Sequence, residues 1–288
     1  MGTAMIERAF REACAAELAA LKPGNVHRFA GGHGMTVDDF LRSADAAAPP
    51  LCRRGAALGE RVLGAVAATR ERVGQNTNLG IVLLCAPLAQ AAEQGAAEQG
   101  PDLRAGARAA IAGSTLADAG LVFQAIALAA PGGLGSAERH DVRAPATVRL
   151  PEAMAAAGRD SIARQWATGF EDLFDAGLPA LEAALARWGE EGWAATSVYL
   201  RYLARLPDSH VARKHGAEAA EAVRREAATA LASLDAAADP EALVPALLAW
   251  DADLKRRGLN PGTSADLTVA TIFTQRLRNG LRATGIAG

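Results

Sequence analysis

Apolar residues recur every three to four positions through most of this chain, while alternating runs of β-branched residues, the mark of half-buried strands, are scarce. Alanine and leucine dominate, and both lose little conformational freedom in a helix. The pattern predicts an all-α protein. Helices are expected over 4–21, 37–48, 55–72, 77–94, 103–112, 115–129, 152–176, 189–206, 212–234, 240–257 and 264–281. No Ser/Gly linker, charge block or fixed-period repeat divides the 288 residues. One domain over 1–288, a single multi-helix bundle, is therefore the expected organisation.

Between these helices the chain is richer in glycine and polar groups than a turn requires: "LKPGNVHRFAGGHGMTVDD", "RVGQNTNLG", "AGSTLADAG", "PGGLGSAERHDVRAP", "LPDSHVARKHG" and "GLNPGTSADL". All five histidines (His27, His33, His140, His210 and His215) fall in them, and so do Lys22 and Lys214. Lysine is rare here, occurring otherwise only at Lys255, so each lysine is more informative than an arginine. Three breaks carry a threonine followed three positions later by an aspartate: Thr36 and Asp39, Thr115 and Asp118, Thr263 and Asp266. That spacing suits a capping box, which would account for each aspartate locally. Carboxylates at several helix starts around one cleft are also how a helical protein gathers oxygen ligands for Mg²⁺. Spacing alone leaves both readings open; for Asp266 we expect both, a cap that also faces a shared site.

Composition excludes some functions. A net charge of −2 and a pI near 6.2 argue against nucleic acid as a partner recognised by bulk charge. Cys14, Cys52 and Cys85 stand apart in apolar segments and read as buried free thiols. The first twenty residues carry five charges at helical spacing and do not read as a signal peptide, and the apolar run 79–89 is too short to span a bilayer. A cytoplasmic protein with no membrane partner is expected. The four tryptophans and the 159–165 charges read as packing and solvated-face residues.

Five segments, taken in order, resemble the triphosphoribosyl-dephospho-CoA synthase family: Lys22-Pro23-Gly24-Asn25-Val26-His27-Arg28, the Gly74–Gly80 run, Pro131-Gly132-Gly133-Leu134, the Asp208–Gly216 segment, and Asn260 to Leu267. The resemblance covers nearly the whole chain. It implies a helical enzyme that moves the triphosphoribosyl part of ATP onto the 2′-hydroxyl of 3′-dephospho-CoA and releases adenine. It also implies an architecture akin to the ADP-ribosylglycohydrolases, which act at the same sugar carbon with Mg²⁺. Members serving citrate lyase tend to read Asn-Thr-His-Lys-Gly where this chain has Asn76-Thr77-Asn78-Leu79-Gly80. The latter form is similar to a branch in methanogens and in methylotrophs using tetrahydromethanopterin. An activated ribose phosphate as donor and a pterin-type acceptor, through a ribitol hydroxyl, is thus the alternative.

Breaking an N-glycosidic bond develops positive charge on the sugar, so such a site needs a nearby carboxylate, a base for the attacking hydroxyl and an acid or donor for adenine. Asp208, Asp266 and Asp118 are the candidate catalytic and metal-binding acids, with His210 as acid or base and Mg²⁺ expected with the nucleotide. Asp141, then Asp38 and Asp39, stand behind them. Lys22, Asn25, His27, Arg28, Asn76, Thr77, Asn78, Gly132, Gly133, Asp141, Arg213, Lys214, Thr263 and Ser264 are the candidate substrate-binding residues. A homodimer is among the assemblies left open. The competing class is a non-enzymatic helical scaffold, in which these acids would be dispersed caps.

Overall fold

A computed structural model of the chain describes residues 1–95, 102–132 and 134–283. Among these are fourteen α-helices and no strand, the only β pairing being two isolated bridges, His27 with Ala30 and Gly32 with Met35. The helices are α1 (Thr3–Ala19), α2 (Val37–Leu51), α3 (Leu58–Val73), α4 (Leu79–Gln94), α5 (Leu103–Ala112), α6 (Leu116–Ala129), α7 (Leu150–Ala156), α8 (Ser161–Thr168), α9 (Leu178–Trp188), α10 (Glu191–Arg205), α11 (Ser209–His215), α12 (Ala217–Ala236), α13 (Val244–Arg256) and α14 (Gly262–Ala283).

The expected helix over 152–176 is not one helix. Asp160 accepts from the backbone N–H of Ile162 and Ala163 and so starts α8 anew, while Gly169, at φ 65°, ends it in the left-handed conformation. A single π-helical turn at Leu173–Gly177 then leads into α9, which periodicity had left unassigned. The break at 207–216 likewise contains a helix of its own, α11, separated from α12 by Gly216 at φ 88°. Proline inside α4 is tolerated for a visible reason. Pro87 cannot bond the carbonyl of Leu83, and Trp166 Nε1 donates to that carbonyl instead at 3.2 Å.

Buried apolar side chains form two clusters. The larger is built from α1 to α9 with much of α10 and α14, the smaller from α10 to α13 with Leu21 and Ala265. Helix α14 runs between them: Ala265 belongs to the smaller, Leu267 and Phe273 to the larger. Its fully buried threonines Thr268, Thr271 and Thr274 return their hydroxyls to the carbonyls of Ser264, Leu267 and Ala270, so this polar stripe lies in the core without unpaired groups. The three cysteines are free and buried, and burial pushes their thiols well above the ordinary range, Cys52 to about 12. Among the described residues no single helix is long and apolar enough to cross a membrane; α5 and α6, bent by 97°, reach that length and composition only jointly.

Candidate functional site

Two of the three Thr-x-x-Asp sequences form the box their spacing predicts. Thr36 Oγ1 accepts from the Asp39 N–H while Asp39 accepts from the Thr36 N–H at 2.8 Å, and Thr115 with Asp118 repeats the arrangement. The third does not form. Helix α14 begins at Gly262, one residue before the threonine, so Thr263 and Asp266 are both inside the helix. Thr263 Oγ1 is taken by Ser209 Oγ at 3.0 Å, and the N–H of Ser264 donates to Asp208 at 2.8 Å. The expectation that Asp266 caps its helix is therefore corrected: an aspartate 56 residues away performs that task. Asp266 makes no hydrogen bond or ion pair among the described residues, although it is largely removed from solvent. Burial first, and then the like charges of Glu17 and Asp208, push its carboxyl well above the usual carboxylate range, against the pull of Arg213.

Around this open carboxylate the motif-bearing breaks converge. Lys22 is fully buried; its Nζ donates to Glu17 on α1 and, at 3.0 Å, to Asn25 Oδ1. Asn25 Nδ2 donates to Asn260 Oδ1 at 2.8 Å, which ties the first break to the last across 235 residues of chain. Below them Asp251 accepts from Gly24 N at 2.8 Å and Lys255 Nζ at 2.9 Å, and His27 Nε2 lies 3.3 Å from it. Burial would raise the Asp251 carboxyl, but these partners hold it below its ordinary value. Tyr199 completes the floor by donating to the Pro23 carbonyl at 2.6 Å. Gly24, at φ 83°, could not carry a side chain: a Cβ there would lie 2.8 Å from Pro261.

Three helix starts meet on the other side. Asp208 Oδ1 accepts from the N–H of His210 and Val211 and Oδ2 from the N–H and Oγ of Ser264, so the carboxylate joins the first turns of α11 and α14 with every oxygen occupied. Burial pushes its proton affinity up and the four donors oppose that. Ser209 Oγ bonds both Thr263 Oγ1 and, at 3.3 Å, the Ser161 N–H that opens α8. Arg213 pairs with Asp160, the N-cap of α8. His210 sits over Gly262, where a Cβ would be 2.6 Å from Nδ1, and its Nε2 is unpaired. Burial and the cations Lys214 and Arg213 lower its pKa to about 4, so the ring is neutral at pH 7. Lys214 in turn packs on Gly132, where a Cβ would come within 2.6 Å of its Cε. An open concavity of about 560 Å³ lies along this 130–143 segment.

The start of α4 supplies the fourth side. Asn76 Oδ1 accepts from the Leu79 N–H, Thr77 Oγ1 donates to Ser43 Oγ at 2.5 Å, and Asn78 Nδ2 donates to Thr69 Oγ1 at 3.0 Å. Thr77 and Asn78 thereby fix α4 against α2 and α3, while Asn76 caps the start of α4 itself. Gly80 follows, and a Cβ there would overlap Asp266 Oδ2. Any larger residue would close the space in front of the carboxylate.

Other expected members lie elsewhere. Asp118 is not grouped with Asp208 and Asp266: it sits between α3 and α6, with one oxygen on Thr115 and the other accepting from Gly59 N at 2.8 Å. Burial pushes it up, but those donors win and hold it below the usual range. The proposed metal trio is thereby corrected, and among the described residues no three His, Cys, Asp or Glu side chains gather closely enough to hold an ion by themselves. Asp118→Ala is expected to cost about 1–2 kcal/mol by loss of the cap while leaving the rate of adenine release within about threefold; urea denaturation and a rate assay check both. Asp141 closes a turn of its own segment through Ala137 and Arg143. Arg28 is exposed, its guanidinium 4.5 Å over the Phe29 ring. Gly133 lies outside the described residues.

Glu17, Asp160, Asp251, Lys255, Tyr199 and Asn260 were missed as site residues. Glu17 reads as one more charge on an amphipathic helix; only its distance of five residues from a rare lysine hinted at a partner. All three lysines do reach this region, which is the signal composition offered.

A family model described as ATP:dephospho-CoA triphosphoribosyl transferase (CitG) matches residues 3–285. The chain belongs to this family. A crystal structure from Archaeoglobus fulgidus assigned as a triphosphoribosyl-dephospho-CoA synthase superposes with a TM-score of 0.63 at 28% identity, over 81% of this chain and 96% of that one. No protein of curated function matches the sequence. The helical fold, the membership of a transferase family and triphosphoribosyl transfer from ATP to dephospho-CoA thus agree with the expectations from sequence. Family membership also sets aside the scaffold reading. Within the transferase family, the convergence of breaks from both ends of the chain on Asp266 identifies the candidate active site.

Proposed function

We propose that Asp266 is the carboxylate at the reacting sugar when the triphosphoribosyl group passes from ATP to the 2′-hydroxyl of 3′-dephospho-CoA. The carrying observation is that this one acid, among the breaks that converge, has no partner. A partly buried carboxylate with no protein partner stands ready to face positive charge that develops on a bound substrate. In the transfer the bond between the sugar carbon and the adenine nitrogen breaks with its electron pair leaving on adenine, and the acceptor oxygen bonds to the same carbon. Asp266 offsets the charge developing on the sugar and takes the proton of the acceptor hydroxyl, and its raised proton affinity favours that second task. Asp208 positions rather than reacts, because its oxygens are committed to two helix starts. His210, neutral in the free protein, gains proton affinity once phosphate charge offsets Arg213 and Lys214, and then supplies the proton that adenine takes up.

Arg213 and Lys214, in the last turn of α11, supply the cations that suit the triphosphate. An Mg²⁺ ion arriving with the nucleotide fits this donor set, since such an ion takes one or two carboxylates with phosphate and water completing its shell, and Asp266 has both oxygens free. The bound ion would neutralise phosphate charge. Incubating the protein with ATP, Mg²⁺ and 3′-dephospho-CoA is expected to release adenine, and ATP with Mg²⁺ at about 100 Kd is expected to stabilise the fold by roughly 2.7 kcal/mol. No adenine and a flat melting curve would together reject the reading.

A second acceptor is kept for one observation. Asn78 and Leu79 are buried and bound into the α2–α4 contact, so this face presents neither the imidazole nor the ammonium found in the citrate lyase branch. A ribitol hydroxyl of a pterin precursor would be the acceptor in that case. Competition between the two acceptors in the adenine assay separates them.

A further inference from the structure

The polar residues over 159–165 read in the sequence as a solvated face, and two of them do not behave as one. Arg164 and Gln165 on α8 converge with Arg205, at the end of α10, on Asp172, which is 1% exposed. Arg164 Nε donates to one carboxylate oxygen at 2.9 Å and Gln165 Nε2 to the same oxygen at 2.8 Å, while Arg205 Nε donates to the other at 3.3 Å. Burial by itself would raise the Asp172 carboxyl, but these donors hold it below its ordinary value. An arginine paired with a carboxylate frequently engages it with two nitrogens at once. Here each guanidinium gives Nε alone, and its terminal Nη groups make no hydrogen bond among the described residues. Arg164 Nη2 lies 3.6 Å from Glu171, a half-exposed contact that solvent screens. Two part-exposed arginines are thus held on one buried anchor with their Nη forks free.

The place of this pair bears on the transfer. The N–H of Arg164 bonds the carbonyl of Asp160 at 2.9 Å, so Arg164 stands one turn, about 5.4 Å along the helix, from the partner of Arg213. Arg205 precedes Asp208 by three residues, and Asp208 in turn holds Ser264, two residues from Asp266. The reaction brings a triphosphate and a diphosphate to one site. Of the cations described there, Arg213 and Lys214 are assigned to the triphosphate, while Lys22 is held by Glu17 and Lys255 by Asp251. The diphosphate of the acceptor is left without one. We infer that Arg164 and Arg205, anchored on Asp172, form a second anion subsite that grips the 5′-diphosphate of 3′-dephospho-CoA, with Asp172 as its positioning residue. The inference rests on the reading of Asp266 as the acid at the sugar. A nucleoside 5′-diphosphate lies across the ribose from its 2′-hydroxyl, so a grip set back from Asp266 directs that hydroxyl at the reacting carbon. Two guanidinium forks suit a diphosphate because each matches the oxygens of one phosphate.

The test uses Arg205→Gln and Arg164→Gln in the full chain. Each is expected to raise KM for 3′-dephospho-CoA by roughly tenfold to a hundredfold, the range for hydrogen bonds to a charged group, with KM for ATP within about twofold and kcat within about threefold. At saturating ATP, inhibition by ADP competitive with the acceptor is expected to weaken by the same factor, while inhibition by adenosine, which lacks the phosphates, stays unchanged. Equal weakening of ADP and adenosine, or a rise in KM for ATP in place of the acceptor, would overturn the inference, since a pair that only braces α8 against α10 cannot tell the two inhibitors apart. Arg205→Gln leaves Asp172 with Arg164 and Gln165, so it decides alone should Arg164→Gln not fold. Should the wild type release no adenine, the reading of Asp266 has failed rather than the arginine pair. Equilibrium dialysis of ADP and of adenosine against wild type and Arg205→Gln, with ATP saturating, then accepts or rejects the pair by the same contrast.

Discussion

Asp266→Asn is expected to lower kcat for adenine release by about 10²–10⁴-fold, the range for loss of a positioned base, and at the same time to make the protein more stable. The asparagine is nearly isosteric, so the space in front of Gly80 is kept. What disappears is an ionisable group that burial and the charges of Glu17 and Asp208 hold well above its ordinary value. The sign follows from linkage. A carboxyl whose folded pKa exceeds its unfolded one favours the folded state only while it is protonated, below the unfolded value, and that contribution is lost as pH rises through the folded value. The stabilising effect of Asp266→Asn is thus expected to be small near pH 4 and to grow toward pH 8, reaching about 0.5–2 kcal/mol. Thermal melts at the two pH values, beside a single-turnover assay, measure both halves. A variant that is inactive and also less stable at pH 8 would mean that Asp266 holds the fold rather than the substrate.

Lys22→Met is expected to be the most damaging single change to stability, at about 3–5 kcal/mol, because it leaves Glu17 buried without a counter-ion. It also removes the donor that holds Asn25, and with it the link to Asn260. Glu17→Gln combined with Lys22→Met is expected to recover much of the lost stability, since neither partner is then a buried charge, while activity stays low. Lys22→Arg is expected to fail too, the larger planar guanidinium having no room in a fully closed pocket. A double-mutant cycle by urea denaturation measures the coupling; a Lys22→Met protein as stable as the wild type would show that Glu17 is protonated at rest.

Much of this was legible in the order of residues. Helical periodicity predicted an all-α chain, and most of its helices lie where apolar spacing placed them. Glycine, proline and polar clusters marked the breaks that meet at the site. Where helices broke unexpectedly, the competing groups were local and readable in principle: Asp160 recruits the N–H groups of α8, and Gly169 adopts a left-handed conformation. The missed partners were of another kind. Apart from the lysine five residues on, nothing near Glu17 in the chain distinguishes it from Glu7 or Glu12, because its burial depends on tertiary packing.

The three Thr-x-x-Asp sequences show where the division lies. Local sequence determined that each would stand at a helix start, because turn geometry and capping involve only a few neighbouring residues. Whether the aspartate was used up in a cap was decided elsewhere, since helix α14 already starts at Gly262 and Asp208, 56 residues from Ser264, satisfies its first turn. That left Asp266 open, and Gly80 made the space for it. Charges, like caps, are assigned by what the folded chain brings within a few ångströms, and that is a property of packing rather than of spacing along the chain.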